Sequence, residues 1–426
     1  MLCSKYAFTT CLILLGASLP AFGEKPLTID EAVAEALGEN PKLKSEKAQV
    51  DAYQARIGVA KSLDDPMVGV EFYDVPMNTT DPTKGNEINY SFVQKIPFPG
   101  KLATQGKMAQ NLYQAQRSTY DAKMLETQVN TEHAYHDLYF IDGSLRINKE
   151  LQALWRKLVA SEEGRYTTSA KSSRNFLKTK VELDKLQSEG ALLEAKRIRD
   201  QATLNILRHK NPGDPILLAE LPTHEHPYPT YEEFEKIVFE KHPELKVAQH
   251  LAEASKNNAS LAKRQTALPD LELRGTYVQR FGQIDAWTTE ARINIPFLWG
   301  KTRKQLKEAK AMSRASEQEY ISVKDERLAD LKQSYAQLES AKKSYALYRT
   351  KILPYSTMSL KSSEAAYETG TIDFINFIDS AREFKEAKQG GLEAFVEYQK
   401  AITHLKEAAG EDFMAALMQN NHTEEK

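Results

Sequence analysis

The side chains with the clearest capacity for chemistry lie in the run Glu132-His133-Ala134-Tyr135-His136-Asp137. His133 and His136 are three residues apart, so a helix would present both imidazoles on one face. Two imidazoles and a carboxylate form a ligand set that suits zinc or copper. The spacing is not that of an HExxH motif, and the run lies inside a long polar helix, where a surface role outweighs a metal site. We therefore predict no bound metal and no cofactor.

Other motifs with catalytic potential are weak. His224-Glu225-His226, in a proline-rich linker, is either a loose metal scavenger or a solvated turn. Ser260-Leu261-Ala262-Lys263 matches Ser-x-x-Lys, a pattern that lysine-rich helices produce by chance. The sequence contains no P-loop, no G-x-S-x-G and no G-x-G-x-x-G motif. We therefore expect no enzymatic activity, and any energy for transport must come from another protein.

Composition and the N-terminus indicate an exported protein. The 426 residues carry a formal charge of −2 with 27% charged residues, which gives no reason to expect nucleic acid as a partner. An apolar run at 7–19 ends in Ala21-Phe22-Gly23, which predicts a secretory signal peptide over residues 1–23. Both cysteines, Cys3 and Cys11, lie inside it. The mature chain is therefore expected to lack disulfides, and a lipid anchor is discounted because no cysteine follows the apolar run.

The elements that carry these residues are duplicated along the chain. Asn40-Pro41-Lys42-Leu43 returns as His242-Pro243-Glu244-Leu245, and Ile96-Pro97-Phe98-Pro99-Gly100-Lys101 returns as Ile295-Pro296-Phe297-Leu298-Trp299-Gly300-Lys301. The offset of about 200 residues is far too long for a solenoid repeat. The sequence therefore predicts two structural repeats, each with helices, two strands and two long helices. Their expected ranges are 24–222 and 231–418, with a linker at 223–230 and a polar tail at 419–426.

Alternation of apolar and polar residues predicts two strands in each repeat. The expected strands cover about 67–75, 87–96, 270–279 and 287–296. Each has one apolar face and one mostly polar face, and its length suits a tilted strand between lipid and water. After each Gly-Lys the period changes, and long helices are expected over 102–166 and 302–367, each roughly 100 Å long. Return helices are expected over 173–209 and 373–409.

Four strands with an apolar face cannot close a barrel in one chain. An open sheet edge in hydrocarbon is prohibitive, and the smallest single-chain barrels have about eight strands. The chain must therefore oligomerise, and three copies would supply twelve strands. The alternative is a water-soluble coiled-coil protein whose alternating segments form ordinary amphipathic hairpins. We favour membrane closure, because four such strands recur at matched places behind a signal peptide.

The doubled junction Ile96-Pro97-Phe98-Pro99-Gly100-Lys101-Leu102 and Ile295 to Lys301 resembles the strand-to-helix junctions of TolC-like outer-membrane efflux proteins. The Phe-Pro-Gly-Lys form looks most like the heavy-metal-efflux branch. The resemblance implies a mainly α chain with a small membrane β-barrel and a long coiled-coil periplasmic tunnel, assembled as a homotrimer with twelve strands. It also implies a periplasmic adaptor, an inner-membrane pump and outer-membrane lipid as partners. A type I protein-secretion duct, with the same architecture, stays open as an alternative.

The junction residues Pro97, Gly100, Pro296 and Gly300 suit the change from strand to helix. Proline ends a β-ladder because it has no N–H. Glycine permits the sharp turn that follows.

The resemblance also places the functional mouth of the duct. Tyr367-Glu368-Thr369-Gly370-Thr371 looks like the turn at the periplasmic tip, and in this family acidic residues beyond the tip glycine ring the entrance. Asp379 matches one such position, Asn376 occupies the other, and Asp373 lies nearby as a partial replacement. Three copies of Asp379 would favour cations, although a solvated surface carboxylate is an equal reading.

In the first repeat, Ser169 stands at the position of Gly370 and Lys178 at that of Asp379. The tip of the first repeat therefore departs from the family pattern. Lys178 is also the candidate ion-pair partner for Asp379.

Overall fold

The structure is a computed structural model that describes residues 25–165, 170–222, 228–296 and 300–411. The predicted signal peptide at 1–23, His224-Glu225-His226, Ser169 and the polar tail at 419–426 lie outside these ranges. The described chain is mainly helical and contains one small antiparallel sheet, as the sequence predicts.

The helices follow the same order in both halves of the chain. The first half contains α1 (Ile29–Glu39), α2 (Pro41–Lys61), α3 (Lys101–Arg165) and α4 (Ala170–Leu207). The second half contains α5 (Tyr231–Lys241), α6 (Pro243–Ala267), α7 (Lys301–Leu347), α8 (Leu353–Glu368) and α9 (Phe374–Ala409). At 1.5 Å per residue, α3 alone is roughly 100 Å long. Among the described residues, no helix is both long and apolar enough to cross a membrane.

Local sequence explains where the short helices begin and break. Thr28 accepts a hydrogen bond from the Glu31 N–H while the Glu31 carboxylate accepts from the Thr28 N–H, which is a capping box. Thr230 and Glu233 repeat this arrangement ahead of α5. The break between α1 and α2 falls at Asn40, whose side chain accepts from the Lys42 N–H at 2.9 Å. A proline then occupies the first turn of α2, where its missing N–H costs nothing.

The sheet joins the two halves of the chain at its centre. Its strands are β1 (Met67–Tyr73), β2 (Glu87–Ile96), β3 (Leu271–Arg280) and β4 (Ala286–Ile293), paired antiparallel in the order β1-β2-β3-β4. The hairpin of the first half therefore pairs with that of the second half through β2 and β3. Within the described residues, β1 and β4 each keep one unpaired edge.

The register separates the strand residues into two faces of opposite character. Val70, Tyr90, Tyr277 and Trp287 stand in one row across the four strands. The same face carries Val68, Phe72, Ile88, Phe92, Leu273 and Ile293. It is open to solvent in the single chain, with Val68 78% and Trp287 80% exposed. The opposite face is polar and carries Glu71, Asn89, Ser91, Arg274, Thr276, Thr288, Glu290 and Arg292.

The helices pack side by side and bury several separate apolar clusters rather than one compact core. α3 packs against both α2 and α6, and α6 packs against α7. The largest apolar cluster lies where α1, α3, α5, α7 and α9 meet, around the buried residues Tyr135, Phe234, Leu338 and Leu405. A second cluster lies at the far end of the long helices, around Trp155 and Phe377. These two clusters fix the long helices against each other.

The long helix expected over 302–367 contains a π-helical turn. This turn covers Tyr348–Ile352 and separates α7 from α8. Pro354 lies two residues beyond this turn, and because proline has no N–H and its ring crowds the preceding carbonyl groups, the backbone widens there. The ring of Tyr348 packs on Gly390 of α9, where an added Cβ would lie 2.6 Å from the tyrosine hydroxyl.

Candidate functional site

The turn between α8 and α9, residues 369–373, forms the tip of the second helical hairpin. Gly370 has a φ of 73°, in the left-handed region that favours glycine. Its N–H donates to the Tyr367 carbonyl at 3.1 Å, and the Thr371 N–H donates to the Ala366 carbonyl at 2.8 Å. This is the Schellman arrangement that ends a helix at a glycine. The sequence pattern around Gly370 therefore forms a tight helix-to-helix turn.

Aromatic packing fixes the position of this tip. The Tyr367 ring stacks on Phe377 with 5.4 Å between centroids and tilts against Phe374 at 5.7 Å. The Tyr367 hydroxyl donates to Glu162 at 2.5 Å, and Glu162 is buried near the end of α3. The tip of the second half is therefore tied to the last turns of α3.

Three of the predicted mouth residues line up beyond Gly370 on an exposed surface. Asp373, Asn376 and Asp379 are all exposed, and Asp373 is the N-cap residue of α9. The structure therefore brings the predicted mouth residues to one end of one hairpin. Their role at a pore entrance stays a prediction.

Asp379 belongs to a chain of charges that connects α9 with α4. Its carboxylate lies 3.4 Å from Arg382 Nη1, and Arg382 Nη2 donates to Glu182 at 2.7 Å. Burial acts to raise the pKa of Glu182, but hydrogen bonds from Arg382 and Lys185 outweigh it and hold the pKa below its usual value. The expected pairing of Lys178 with Asp379 is not formed, because Arg382, one turn away on the same helix, occupies the carboxylate instead.

A groove of about 470 Å³ runs between α4 and α9 beside this charge chain. Leu177, Val181, Ile375 and Ile378 give it an apolar floor. Its charged margin consists of Arg174, Lys178, Glu182, Asp379 and Arg382. Apolar contact area with a charged margin is suited to binding another protein segment.

At the first strand-to-helix junction, the chain turns through Gly100. Pro97 follows the last residue of β2, and Gly100 has a φ of 90°. An added Cβ at Gly100 would lie 2.9 Å from Arg264 Nη1 on α6. The backbone angle therefore requires glycine, whereas the close approach alone would be relieved by a shift of the flexible Arg264 side chain.

Lys101 closes the first junction onto the second half of the chain. It is 3% exposed, and its Nζ donates to Asp270 Oδ1 and to the Leu268 carbonyl, each at 2.7 Å. The same carboxylate oxygen accepts from the Phe98 N–H at 2.9 Å. The ion pair therefore locks the end of β2 to the start of β3.

The second junction has the same backbone form but an open setting. Gly300 is the N-cap of α7 with a φ of 69°, and nothing lies within 4 Å of an added Cβ. The Pro296 carbonyl accepts a hydrogen bond from the Thr302 hydroxyl at 2.6 Å. Lys301, the counterpart of Lys101, is exposed. Residues 297–299 lie outside the described ranges.

The two histidines of α3 face α9 rather than solvent. The ring centroids of His133 and His404 are 4.4 Å apart. Burial is the main cause that lowers the pKa of His133 to about 4 and that of His136 to about 3. Within the described residues, no group of three histidine, cysteine, aspartate or glutamate side chains is arranged to hold a metal ion. The arrangement therefore supports neutral imidazoles packed between helices.

Sequence reasoning missed a ladder of ion pairs along α9. Each pair joins a basic residue of α9 to an acidic residue of α3 or α4: Arg382 to Glu182, Lys385 to Glu189, Lys388 to Glu150, Lys400 to Asp137 and Lys406 to Glu132. The spacing of three residues from Arg382 to Lys388 was the available signal. The acidic partners lie about 190 to 275 residues away, so only the tertiary structure identifies them.

Comparison with known proteins gives one family and a consistent fold. The model of the family described as outer membrane efflux protein matches residues 32–207 and 237–411. A comparison with the curated proteins gives no match.

Among solved structures, the outer-membrane channel OprN is 17% identical with a TM-score of 0.78, covering 90% of each chain. The outer membrane protein VceC of Vibrio cholerae is 16% identical with a TM-score of 0.76, covering 90% of this chain and 96% of that one. The MtrE outer membrane channel of Neisseria gonorrhoeae, solved in its open state, is 17% identical with a TM-score of 0.75, covering 90% and 89%. The structural similarities establish the fold, and the family model, which matches both halves of the chain, establishes the family. The chain belongs to the outer membrane efflux protein family and has the fold of outer-membrane channels.

Proposed function

We propose that this chain forms, as a homotrimer, a passive exit duct from the periplasm to the exterior. The observation that carries the proposal is the four-stranded sheet, with one exposed apolar face, one polar face and two unpaired edges. An unpaired edge in hydrocarbon costs several kcal/mol for each unsatisfied backbone group, so the sheet must close with other copies. Three copies supply twelve strands, whose apolar face contacts outer-membrane lipid and whose polar face lines the lumen.

The helical tip is the proposed entrance and docking end. The groove between α4 and α9 combines an apolar floor with Lys178, Asp379 and Arg382, and it lies at the end farthest from the sheet. A periplasmic adaptor protein that binds this groove would couple the duct to an inner-membrane pump. The sequence contains no nucleotide-binding motif, which agrees with a pump as the source of energy and with the absence of catalysis in the duct itself.

The proposed cargo is small molecules or metal ions. Asp379 and Asp373 place carboxylates at the entrance, and three copies would form an acidic ring that favours cations. The resemblance of the Phe-Pro-Gly-Lys junction to the heavy-metal-efflux branch also supports metal cations as the cargo. Pro97, Gly100, Pro296 and Gly300 have a structural role, because they turn each strand into a tunnel helix.

The experiment that tests this function is extraction of the outer-membrane fraction with detergent, followed by mass determination of the intact complex. We expect a trimer in that fraction. Cells that lack the chain should accumulate an efflux substrate, and expression of the chain should restore export. A soluble monomer or dimer would contradict the duct and favour the coiled-coil alternative.

A further inference from the structure

The pairing of β2 with β3 shows how the first repeat contacts the second. On the apolar face, Ile96 lies opposite Leu271 and Tyr90 opposite Tyr277, while a glutamine stands opposite Leu273 and another opposite Ile88. Below the strands, Lys101 pairs with Asp270 at 2.7 Å and α3 packs along α6. We name this combined contact of β2 and α3 with β3 and α6 the internal seam.

The duplication supplies the same two surfaces again at the open edges. β4 and α7 are the counterparts of β2 and α3, and β1 and α2 are the counterparts of β3 and α6. Most residues of α2 and α7 are exposed. Each edge strand also presents exposed apolar residues, such as Val68 at 78% on β1 and Ile293 at 63% on β4. Each edge is therefore one half of a seam whose other half the single chain does not provide.

We propose that a second copy of this chain completes the seam in a defined register: β4 and α7 of one copy bind β1 and α2 of the next, with Arg292 opposite Glu71. This inference rests on the proposed trimer and specifies its contacts. The internal seam pairs Ile96 with Leu271. Their counterparts, matched through the Ile-Pro junctions and through Pro66 and Pro269, are Ile295 and Val68.

That register places Ile293 opposite Val70 and Arg292 opposite Glu71 of the second copy. Apolar residues stay on the apolar face, and opposite charges meet on the polar face, which stabilises a cross-strand pair. A slip of two residues in one direction would place Arg292 opposite Gly69 and would bring Glu290 opposite Glu71, which is repulsive. A slip in the other direction would place Arg292 opposite Tyr73, with no charge partner.

The charges of the single chain agree with this assignment. Arg292 reaches Glu290 at 2.6 Å and Glu272 at 3.5 Å on its own polar face. Glu71 forms no ion pair with any residue in the described part of the chain. An arginine has five N–H donors in a planar fork, so Arg292 keeps capacity for a further carboxylate. Glu71 of the second copy supplies it.

A second contact follows at the junction below the strands. In the internal seam, Lys101 binds the segment that precedes β3 through Asp270 and the Leu268 carbonyl. Its counterpart Lys301 is exposed, and the segment that precedes β1 carries Asp64 and Asp65, also exposed. In the completed seam, Lys301 of one copy pairs with this acidic pair of the next. The two segments differ in order. Asp64 and Asp65 precede Pro66, whereas Asp270 follows Pro269.

Paired cysteines test the register directly. If the signal peptide is removed, the mature chain has no native cysteine. Within one chain, β1 and β4 are three strands apart, roughly 14 Å, which is beyond the reach of a disulfide. We expect Glu71→Cys with Arg292→Cys to give, on oxidation in the outer membrane, linked dimers and a closed trimer on denaturing gels. The matched controls combine Arg292→Cys with Gly69→Cys or with Tyr73→Cys. Gly69 and Tyr73 lie on the same face of β1 as Glu71, two residues to either side, and should cross-link far less.

The outcomes separate this inference from the proposed function. Stronger cross-linking of a control pair would overturn the register. No cross-linking by any pair, in a complex whose mass is that of a trimer, would overturn the seam while the duct stands. A parent chain that forms no trimer would remove the proposed function itself.

Charge exchange gives an independent readout. Arg292→Glu or Glu71→Arg alone should lower the yield of assembled trimer roughly two- to fivefold, the range expected for a solvent-accessible ion pair. The double exchange should restore only part of the yield, because the reversed charge at position 292 still faces Glu272 and Glu290 of its own chain. A double variant that assembles no better than either single variant would rule out this pair.

Discussion

At the scale of single residues, Asp379 is the tip residue whose charge we expect to affect ion selectivity most directly. It is exposed and shares Arg382 with the better-placed Glu182. The nearby positive charge reduces its field without cancelling it, since the two groups are 3.4 Å apart and open to water. The acidic character of the proposed mouth would therefore depend on the three copies of the proposed trimer acting together.

We expect Asp379→Asn to lower the preference of single channels for cations over anions, and Asp379→Ala also to raise their conductance. The reason is that three carboxylates are removed from one narrow ring. Planar-bilayer recordings of the purified complex measure both quantities. Glu383→Gln, an exposed carboxylate on the same helix outside the groove, is the matched control. Unchanged ion selectivity in the Asp379 variants would show that these carboxylates do not form a selective ring.

The buried imidazoles of α3 make the helix contact sensitive to acid. His133 and His136 face the charges of Lys400, Lys406, His404 and Glu407 on α9, and Asp137 flanks them on α3. In an unfolded chain an imidazole has a pKa of about 6.5, whereas in the folded chain burial lowers the pKa of His133 to about 4. The unfolded state therefore binds more protons in this interval. Stability is fully present above about pH 6.5 and is lost as the pH falls towards 4.

The corresponding experiment compares thermal unfolding of the detergent-extracted protein at pH 7.5 and pH 5. We expect a lower midpoint at pH 5, and a smaller difference in His136→Gln because the titrating group is gone. His209→Asn changes an exposed histidine with a left-handed backbone and should leave the pH dependence intact. Equal pH dependence in His136→Gln and the parent would show that this imidazole does not contribute.

At the scale of elements, the tip turn and the π-helical turn control the geometry of the second hairpin. Gly370→Ala places a Cβ on a left-handed residue, which costs about 1–2 kcal/mol, although the space around it is open. We expect a lower unfolding midpoint and a tip that is cut faster by protease. Gly38→Ala, in the right-handed α1 with equally open space, should instead stabilise by about 0.5–1 kcal/mol. Equal effects would argue against strain at the tip.

The contact of Tyr348 with α9 is tested by two adjacent glycines. A Cβ at Gly390 would lie 2.6 Å from the tyrosine hydroxyl, whereas the nearest atom at Gly391 is 3.8 Å away. Gly390→Ala must displace the ring and should destabilise by about 1–3 kcal/mol. Gly391→Ala should be neutral or stabilising. Chemical denaturation of both variants measures the difference, and a tolerated Gly390→Ala would mean that the π-helical turn adapts freely.

The sequence could predict the elements but not their interruptions and partners. Break signals such as Asn40-Pro41, and the glycines with left-handed backbone, act locally, so the short helices and the tip turn follow from a few neighbouring residues. The π-helical turn has a local cause in Pro354, but the packing of Tyr348 against Gly390, about 40 residues later in the chain, is set by the tertiary structure. The ladder along α9 and the choice of Arg382 for Asp379 likewise depend on distances that only folding sets.

At the scale of the whole molecule, the fold class and the family were predictable because the chain repeats its pattern. Alternation in four strands gave the two faces, and the register confirms that the predicted apolar sets share one face. Tyr73 lies on the opposite face from Tyr90 and Trp287, although all three are aromatic strand residues. Parity along the strand decides the face, and an aromatic side chain alone does not reveal it.

Adjacent residues of β2 test the membrane assignment of these faces. Phe92 lies on the apolar face and Ser91 on the polar one. Phe92→Lys should reduce the trimer in the outer-membrane fraction, because a basic residue facing lipid costs about 2–4 kcal/mol near the midplane. Ser91→Lys should assemble nearly as well as the parent. Equal assembly of both variants would favour the water-soluble alternative.

The pairing of β2 with β3 also sets the order in which the protein can fold. The hairpins β1–β2 and β3–β4 close over short loops, but Glu87 and Arg280 meet across 193 residues. The centre of the sheet therefore cannot form until α3, α4, α5 and α6 have all been exported, and such long-range pairing is slow. During that interval the β2 edge of the first hairpin has no partner strand, which makes the hairpin an aggregation-prone intermediate. We therefore expect the time that this hairpin waits for its partner strand to contribute to the rate of maturation.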